Sequence, residues 1–176
     1  MHIGALLGIW LITLGGPMAT QSAPPPDPLL PARGLIGNWR CNGKSFAVAK
    51  QPERTYTYSM DVREALRGRW LAFTVLLTPS GATSPVLEGH DYWGVDAATQ
   101  KVAEVYVDSS GTYGQGAFTE IANDRLTYRG RVSGDPGERH YEVTFTRESP
   151  HLWRIRYRGS KDGRIWRQRT EDTCAQ

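Results

Sequence analysis

Few of the 176 residues stand together in types that do chemistry. The stretch GHDYWGVD (89–96) groups His90, Asp91 and Asp96, which read either as an acid/base cluster or as a solvated strand end. His140 and His151 could face each other across a hairpin as a metal or haem pair. No third ligand stands at a useful spacing, so no metal site is assigned. The remaining histidine, His2, lies at the N-terminus. Nucleophile elbows, phosphate-binding loops, zinc-protease helices and dinucleotide glycine patterns are all missing from the sequence. GTYGQG (111–116) has three glycines, but it sits between strand-like runs, so it reads as a turn and bulge. No catalytic residue and no cofactor are assigned.

The second chemical feature is a basic stripe, HLWRIRYRGSKDGRIWRQRTE (151–171). Arg154, Arg156 and Arg158 alternate with Trp153, Ile155 and Tyr157. Arg167 and Arg169 follow on the next run, and Arg129 and Arg131 lie two runs earlier. The formal charge is only +3, but from Asp124 to Gln176 there are twelve Lys/Arg against eight Asp/Glu. Three readings stay open. The stripe is a solvated outer face, a surface for an anionic envelope component, or a set of arginines turned inward to hold a ligand's carboxylate. No sequence-specific nucleic-acid recognition is expected.

These residues have to be carried by strands. ERTYTYSMDV puts Tyr56, Tyr58, Met60 and Val62 on one face and Thr55, Thr57, Ser59 and Asp61 on the other. RWLAFTVLLT, LEGHDYWGV, QKVAEVYVD, TYGQGAFTE, DRLTYRGRV, RHYEVTFTR, HLWRIRYRG and GRIWRQRTE follow. Turn residues punctuate the junctions: PSGATSP, DAAT, DSSG, AND, SGDPG, SKDG. Period-2 alternation with turns this closely spaced predicts an all-β fold. Short connections favour an up-and-down antiparallel meander barrel of about ten strands. DVREALRG has helix-capping residues, but the β-rich runs around it favour a hairpin turning near Arg67-Gly68.

The N-terminus reads as a signal peptide over residues 1–22, with an apolar run from Ile3 to Leu14 and small polar residues before the cleavage point. Residues 23–33 read as a Pro-rich linker and 34–176 as the folded domain. A secreted or periplasmic location follows, with no transmembrane segment once the signal is removed. In an oxidising compartment the two cysteines, Cys41 and Cys174, are expected to form a disulfide. Their positions raise a difficulty. The last of ten antiparallel strands ends beside the start of the first, whereas Cys41 lies six residues along it. A long first strand kinked at Gly43, together with the stagger of a closed barrel, is the favoured solution. A C-terminal tail that folds back and a hairpin at Asn42-Gly43 are the alternatives.

The pattern LIGNWRCNG … LRGRWLAFTV … GHDYWGVD … VDSSGTYGQG, spanning about residues 34–173, resembles the calycin group of lipocalins and fatty-acid-binding proteins. It is also similar to a family of small bacterial lipocalin-like barrels of unassigned function. In the lipocalin pattern the Gly-x-Trp tryptophan packs at the closed end under an arginine from the last strand. Trp39 matches that tryptophan, and Arg167 or Arg169 could supply the arginine; plain core packing of Trp39 is the other reading. The chain differs from lipocalins in strand number and in lacking their C-terminal helix. Alternation puts Tyr56, Tyr58, Phe73, Tyr141, Phe145, Trp153 and Tyr157 on the bulky faces, where they would line an interior wide enough for an apolar or amphipathic guest. Arg156 or Arg158 at the mouth could hold its carboxylate. Three functions remain: a small-molecule binder, an envelope module using Arg154, Arg156, Arg158, Arg167 and Arg169, or an enzyme built in the cavity.

Overall fold

The alternating runs become ten antiparallel strands joined into one ring. They are β1 (Gly37–Ser45), β2 (Arg54–Ala65), β3 (Trp70–Pro79), β4 (Leu87–Val95), β5 (Val102–Asp108), β6 (Tyr113–Ile121), β7 (Arg125–Ser133), β8 (His140–Ser149), β9 (Leu152–Ser160) and β10 (Arg167–Ala175). Each strand pairs with the next, and β10 returns to pair with β1, so the sheet is a closed up-and-down barrel. The computed structural model describes residues 27–47, 52–134 and 140–176. The expected signal peptide, residues 1–22, lies outside them.

Turn chemistry sets the strand ends. The β2–β3 hairpin turns through Leu66, Arg67 and Gly68, all with left-handed φ. That conformation is costly for Leu and Arg, and Arg33 braces it from outside. One Arg33 nitrogen donates to the Gly68 carbonyl at 2.8 Å, and others bind Glu64 and Asp27. Three further turns use aspartate. Asp96 accepts from the amides of Ala98 and Thr99, Asp108 from Ser110 and Thr112, and Asp162 from Arg164 and Ile165. These bonds hold all three carboxyls below the usual range, Asp108 despite its partial burial.

Residues expected to be linker instead close one end of the barrel. Leu30–Leu35 is a 3-10 helix, and Leu29, Ala32 and Leu35 are fully buried. With three residues per turn, positions 29, 32 and 35 fall on one side, and that side is the plug. The Pro-rich linker therefore does not extend to residue 33. Trp39 lies directly above, its indole N–H donating to the Leu35 carbonyl at 2.7 Å.

The expected arginine over Trp39 is not there. Ser45 pairs with Thr170 and the Phe46 amide donates to the Arg169 carbonyl, so Arg167 and Arg169 flank the far end of β1, six residues from Trp39. The antiparallel direction of β10 dictates this. Trp39 follows the plain packing alternative, and the cation over a buried indole at this end is Arg147, 5.8 Å from the Trp153 ring.

Closure resolves the cysteine difficulty by stagger. Ala175 pairs with Arg40, so β10 ends three residues short of the start of β1, and Cys174 falls opposite Cys41. The two form a disulfide. β1 runs through Asn42-Gly43 paired on both sides, so the hairpin alternative is not realised. The bond spans 133 residues, for which chain entropy suggests about 5 kcal/mol of stabilisation.

Native protein should accordingly show no alkylatable thiol. Cys41→Ser and Cys174→Ser should each lower unfolding free energy by about 2–5 kcal/mol, and the double variant should cost no more than either single. Additive losses in urea titration would mean that the cysteines act separately.

Candidate functional site

The inward faces of the strands surround a cavity of about 610 Å³. It runs from an aromatic floor to the end of the barrel opposite the 3-10 plug, where Ser110 and Thr112 reach it from the β5–β6 turn. The floor centres on Trp93, which is fully buried. Phe73, Phe118, Phe145 and Tyr128 pack around it with ring centroids 4.3–5.5 Å away.

Six of the seven aromatic residues expected inside do line this cavity: Tyr56, Tyr58, Phe73, Tyr141, Phe145 and Tyr157. The seventh, Trp153, does not. It is fully buried one layer lower, between Gly34 and Arg147 in the closed end. The arginines expected at the mouth are also misplaced. On β9, Trp153, Ile155 and Tyr157 face inward, so Arg154, Arg156 and Arg158 must face out. Arg154 binds Glu148 and Glu171, Arg156 binds Glu171, and Arg158 binds Glu142 at 3.0 Å. Glu142 also takes Arg129 at 2.6 Å. The register places these acids: Glu142 pairs with Arg129 and Arg158, and Glu171 with Arg156. Arg129, Arg154, Arg156 and Arg158 are thus matched within the sheet.

What the sequence reading missed is the acidity of the interior. Asp91, Glu104, Asp108 and Asp172 line the cavity, and no Lys, Arg or His joins them among the described residues. Asp172, on β10, accepts hydrogen bonds from Tyr56 at 2.6 Å and Tyr58 at 3.1 Å. Burial pushes its pKa up to about 6 even though both hydroxyls favour the anion. Deeper in, Asp91 Oδ2 accepts from the Trp93 indole at 2.9 Å and from the Tyr128 hydroxyl at 3.3 Å. Tyr141 donates to Glu104. Burial pushes Glu104 up to about 7. Burial first, and then the Glu104 charge, push Asp91 well above the carboxylate range. Burial beside these acids likewise raises the tyrosines Tyr128 and Tyr141, which stay neutral donors.

Glycines make room for this arrangement. A Cβ on Gly116 would lie 2.8 Å from the Arg129 carbonyl and 2.9 Å from Glu104 Oε2. One on Gly130 would overlap the Gln115 carbonyl and the Tyr141 ring. The GTYGQG motif therefore does more than turn: its last glycine helps open the recess that holds the Tyr141–Glu104 pair.

The acid/base reading of GHDYWGVD is not realised, because alternation disperses its residues. Asp91 points in, while His90 binds Glu88 at 2.9 Å on the outside. Asp96 caps the β4–β5 turn. His140 begins β8 at the mouth end and His151 sits in the β8–β9 turn at the plug end, so no histidine pair forms. Among the described residues no group of three His, Cys, Asp or Glu is placed to hold a metal ion.

No protein-family model matches the chain, and no curated protein matches it. Solved structures do. Rv2717c from M. tuberculosis superposes with a TM-score of 0.69 at 13% identity, covering 85% of this chain and 96% of that one. The S-type phycobiliprotein lyase CPES from Guillardia theta superposes at 0.55 with 10% identity, covering 82% and 89%. What this chain shares with them is the fold, a calycin-like barrel.

Two outcomes follow from this geometry. Gly130→Ala should destabilise the protein by about 1–3 kcal/mol through overpacking, read as a lower urea midpoint; an unchanged midpoint removes the recess. The raised carboxyls also set a pH dependence. The folded state keeps protons on Glu104 and Asp172 that the unfolded chain has released, so stability should fall as pH rises from about 4 to 7 and then level off. Glu104→Gln should flatten that slope in urea titrations. A midpoint that climbs over that range contradicts it.

Proposed function

We propose that this chain is an exported barrel that binds a small apolar or amphipathic molecule in its interior. One observation carries the reading: a cavity of about 610 Å³ walled by eight aromatic side chains with donor hydroxyls among them. Specific small-molecule pockets fall in the range of roughly 300–1,000 Å³ and combine apolar walls with a few fixed polar groups. The disulfide fits an oxidising compartment, in line with the apolar run at residues 3–14.

Two other readings receive less support. An envelope module would need outer arginines free for an anionic partner, and Arg154, Arg156 and Arg158 already engage Glu142, Glu148 and Glu171. An enzyme would need more than the Tyr141–Glu104 pair. Those groups are within hydrogen-bond reach, but the described lining has no Lys, Arg or His to stabilise developing negative charge.

The test is titration with Nile red, an uncharged dye whose emission reports apolar surroundings. Saturable one-to-one binding is expected. Tyr58→Ala should weaken it about tenfold by removing a wall, and Arg156→Gln, on the outside, should leave it unchanged. No saturable binding, or equal losses in both variants, ends the cavity reading.

A further inference from the structure

We infer that the guest is a cationic, N–H-donating amphiphile, held with its polar head against the Asp91–Glu104 pair and its apolar body against Met60, Phe73, Val75 and Leu77. This rests on the cavity being a binding site and specifies what enters it.

The first argument is electrostatic. Four carboxyl side chains line the space and no basic side chain does among the described residues. In a low-dielectric interior such a wall repels an anionic head strongly and attracts a cationic one. A fatty-acid carboxylate, expected from the arginine stripe, has no counter-charge inside, because the arginines of that stripe face out.

The second argument is an unmet charge. Asp91 is half-buried, and it lines the cavity. Its Oδ2 has the Trp93 and Tyr128 donors, while its Oδ1 is buried and receives no N–H or tyrosine O–H among the described residues. The charged neighbour acting on it is Glu104, within hydrogen-bond reach, and the two carboxyls share a proton. The pair then carries one negative charge with no cation beside it among the described lining residues. The other titratable groups around the pair are tyrosines: Tyr128 on β7, Tyr141 on β8 and Tyr106 on β5. All three are neutral, and Tyr141 and Tyr128 already donate to the acids. An ammonium or a protonated ring N–H supplies the counter-charge that the described lining does not.

The third argument is the division of the wall. β3 presents only apolar side chains to the cavity, Phe73, Val75 and Leu77, with Met60 of β2 beside them and Tyr56 and Tyr58 nearer the mouth, whereas β4 and β5 present Asp91, Glu104, Tyr106 and Asp108 beside Leu87. A guest with one polar end and one apolar side matches that division.

The experiment uses three naphthalene probes of one shape, naphthylmethylamine, naphthylmethanol and naphthoate, each displacing Nile red from the folded protein at pH 7.5. The amine should displace the dye at a concentration at least about tenfold below the carboxylate, with the alcohol between them. Asp91→Asn and Glu104→Gln should each shrink that preference while Nile red still binds. In the unaltered protein the preference should also shrink several-fold at pH 5, where Glu104 takes up a proton while the amine stays charged. This arm keeps the inference testable if a variant does not fold. A carboxylate that competes as well as the amine overturns the inference, as does a preference that survives both substitutions or does not change between pH 5 and 7.5. A protein that never binds Nile red fails at the earlier step, the cavity itself.

Discussion

Ring closure between β1 and β10 is the constraint on which the rest depends. Once ten strands close, the circumference is fixed, and the interior is wider than side chains from the wall can fill. The chain handles the surplus differently at its two ends. At one end a 3-10 turn carrying Leu29, Ala32 and Leu35 is inserted, and three buried tryptophans, Trp39, Trp93 and Trp153, fill the layers above it. Toward the other end no segment among the described residues is inserted, and the space is left. The cavity is thus a consequence of strand number and of a plug that, among the described residues, fills one side.

Within that space the sequence spends stability on polarity. Buried carboxyls are costly unless they are paired or protonated. Here Asp91, Glu104 and Asp172 are surrounded by tyrosine and tryptophan donors rather than by cations, and their proton affinity rises. The cations sit one strand thickness away, on the outer surface, tied to Glu142, Glu148 and Glu171. The barrel wall separates a basic exterior from an acidic interior, a polarity that the small net charge conceals.

Most of the fold was legible because alternation is a strict rule wherever one face is apolar and the other polar. Tyr56, Tyr58, Met60 and Val62 declare their side without ambiguity. The interior acids were not legible because β5 inverts the rule: Ala103, Val105 and Val107 form its apolar face, yet the face that points in is the mixed one of Val102, Glu104, Tyr106 and Asp108. Val105 and Val107 are exposed. Asp172 could have been found. Cys174 must share the inward side of Cys41 and Trp39, and Asp172 is two residues before it. The arginines could also have been placed, since they take the opposite parity to Trp153 and Tyr157. The plug was hidden because Leu29, Ala32 and Leu35 follow a period of three inside a proline-rich stretch whose composition suggests extended chain. The recess at Gly116 and Gly130 depends on which residue of a neighbouring strand lies across, and that is set by register.

The position of the chain ends has one more consequence. Asp27 leads into the plug, and the Gln176 side chain donates to the Ile36 carbonyl at 3.3 Å, so both ends of the described domain leave from the sealed side. A barrel anchored or fused through either end would hold its cavity mouth directed away from the attachment point. Anything carried on a tether at either terminus would leave the path of a diffusing guest clear.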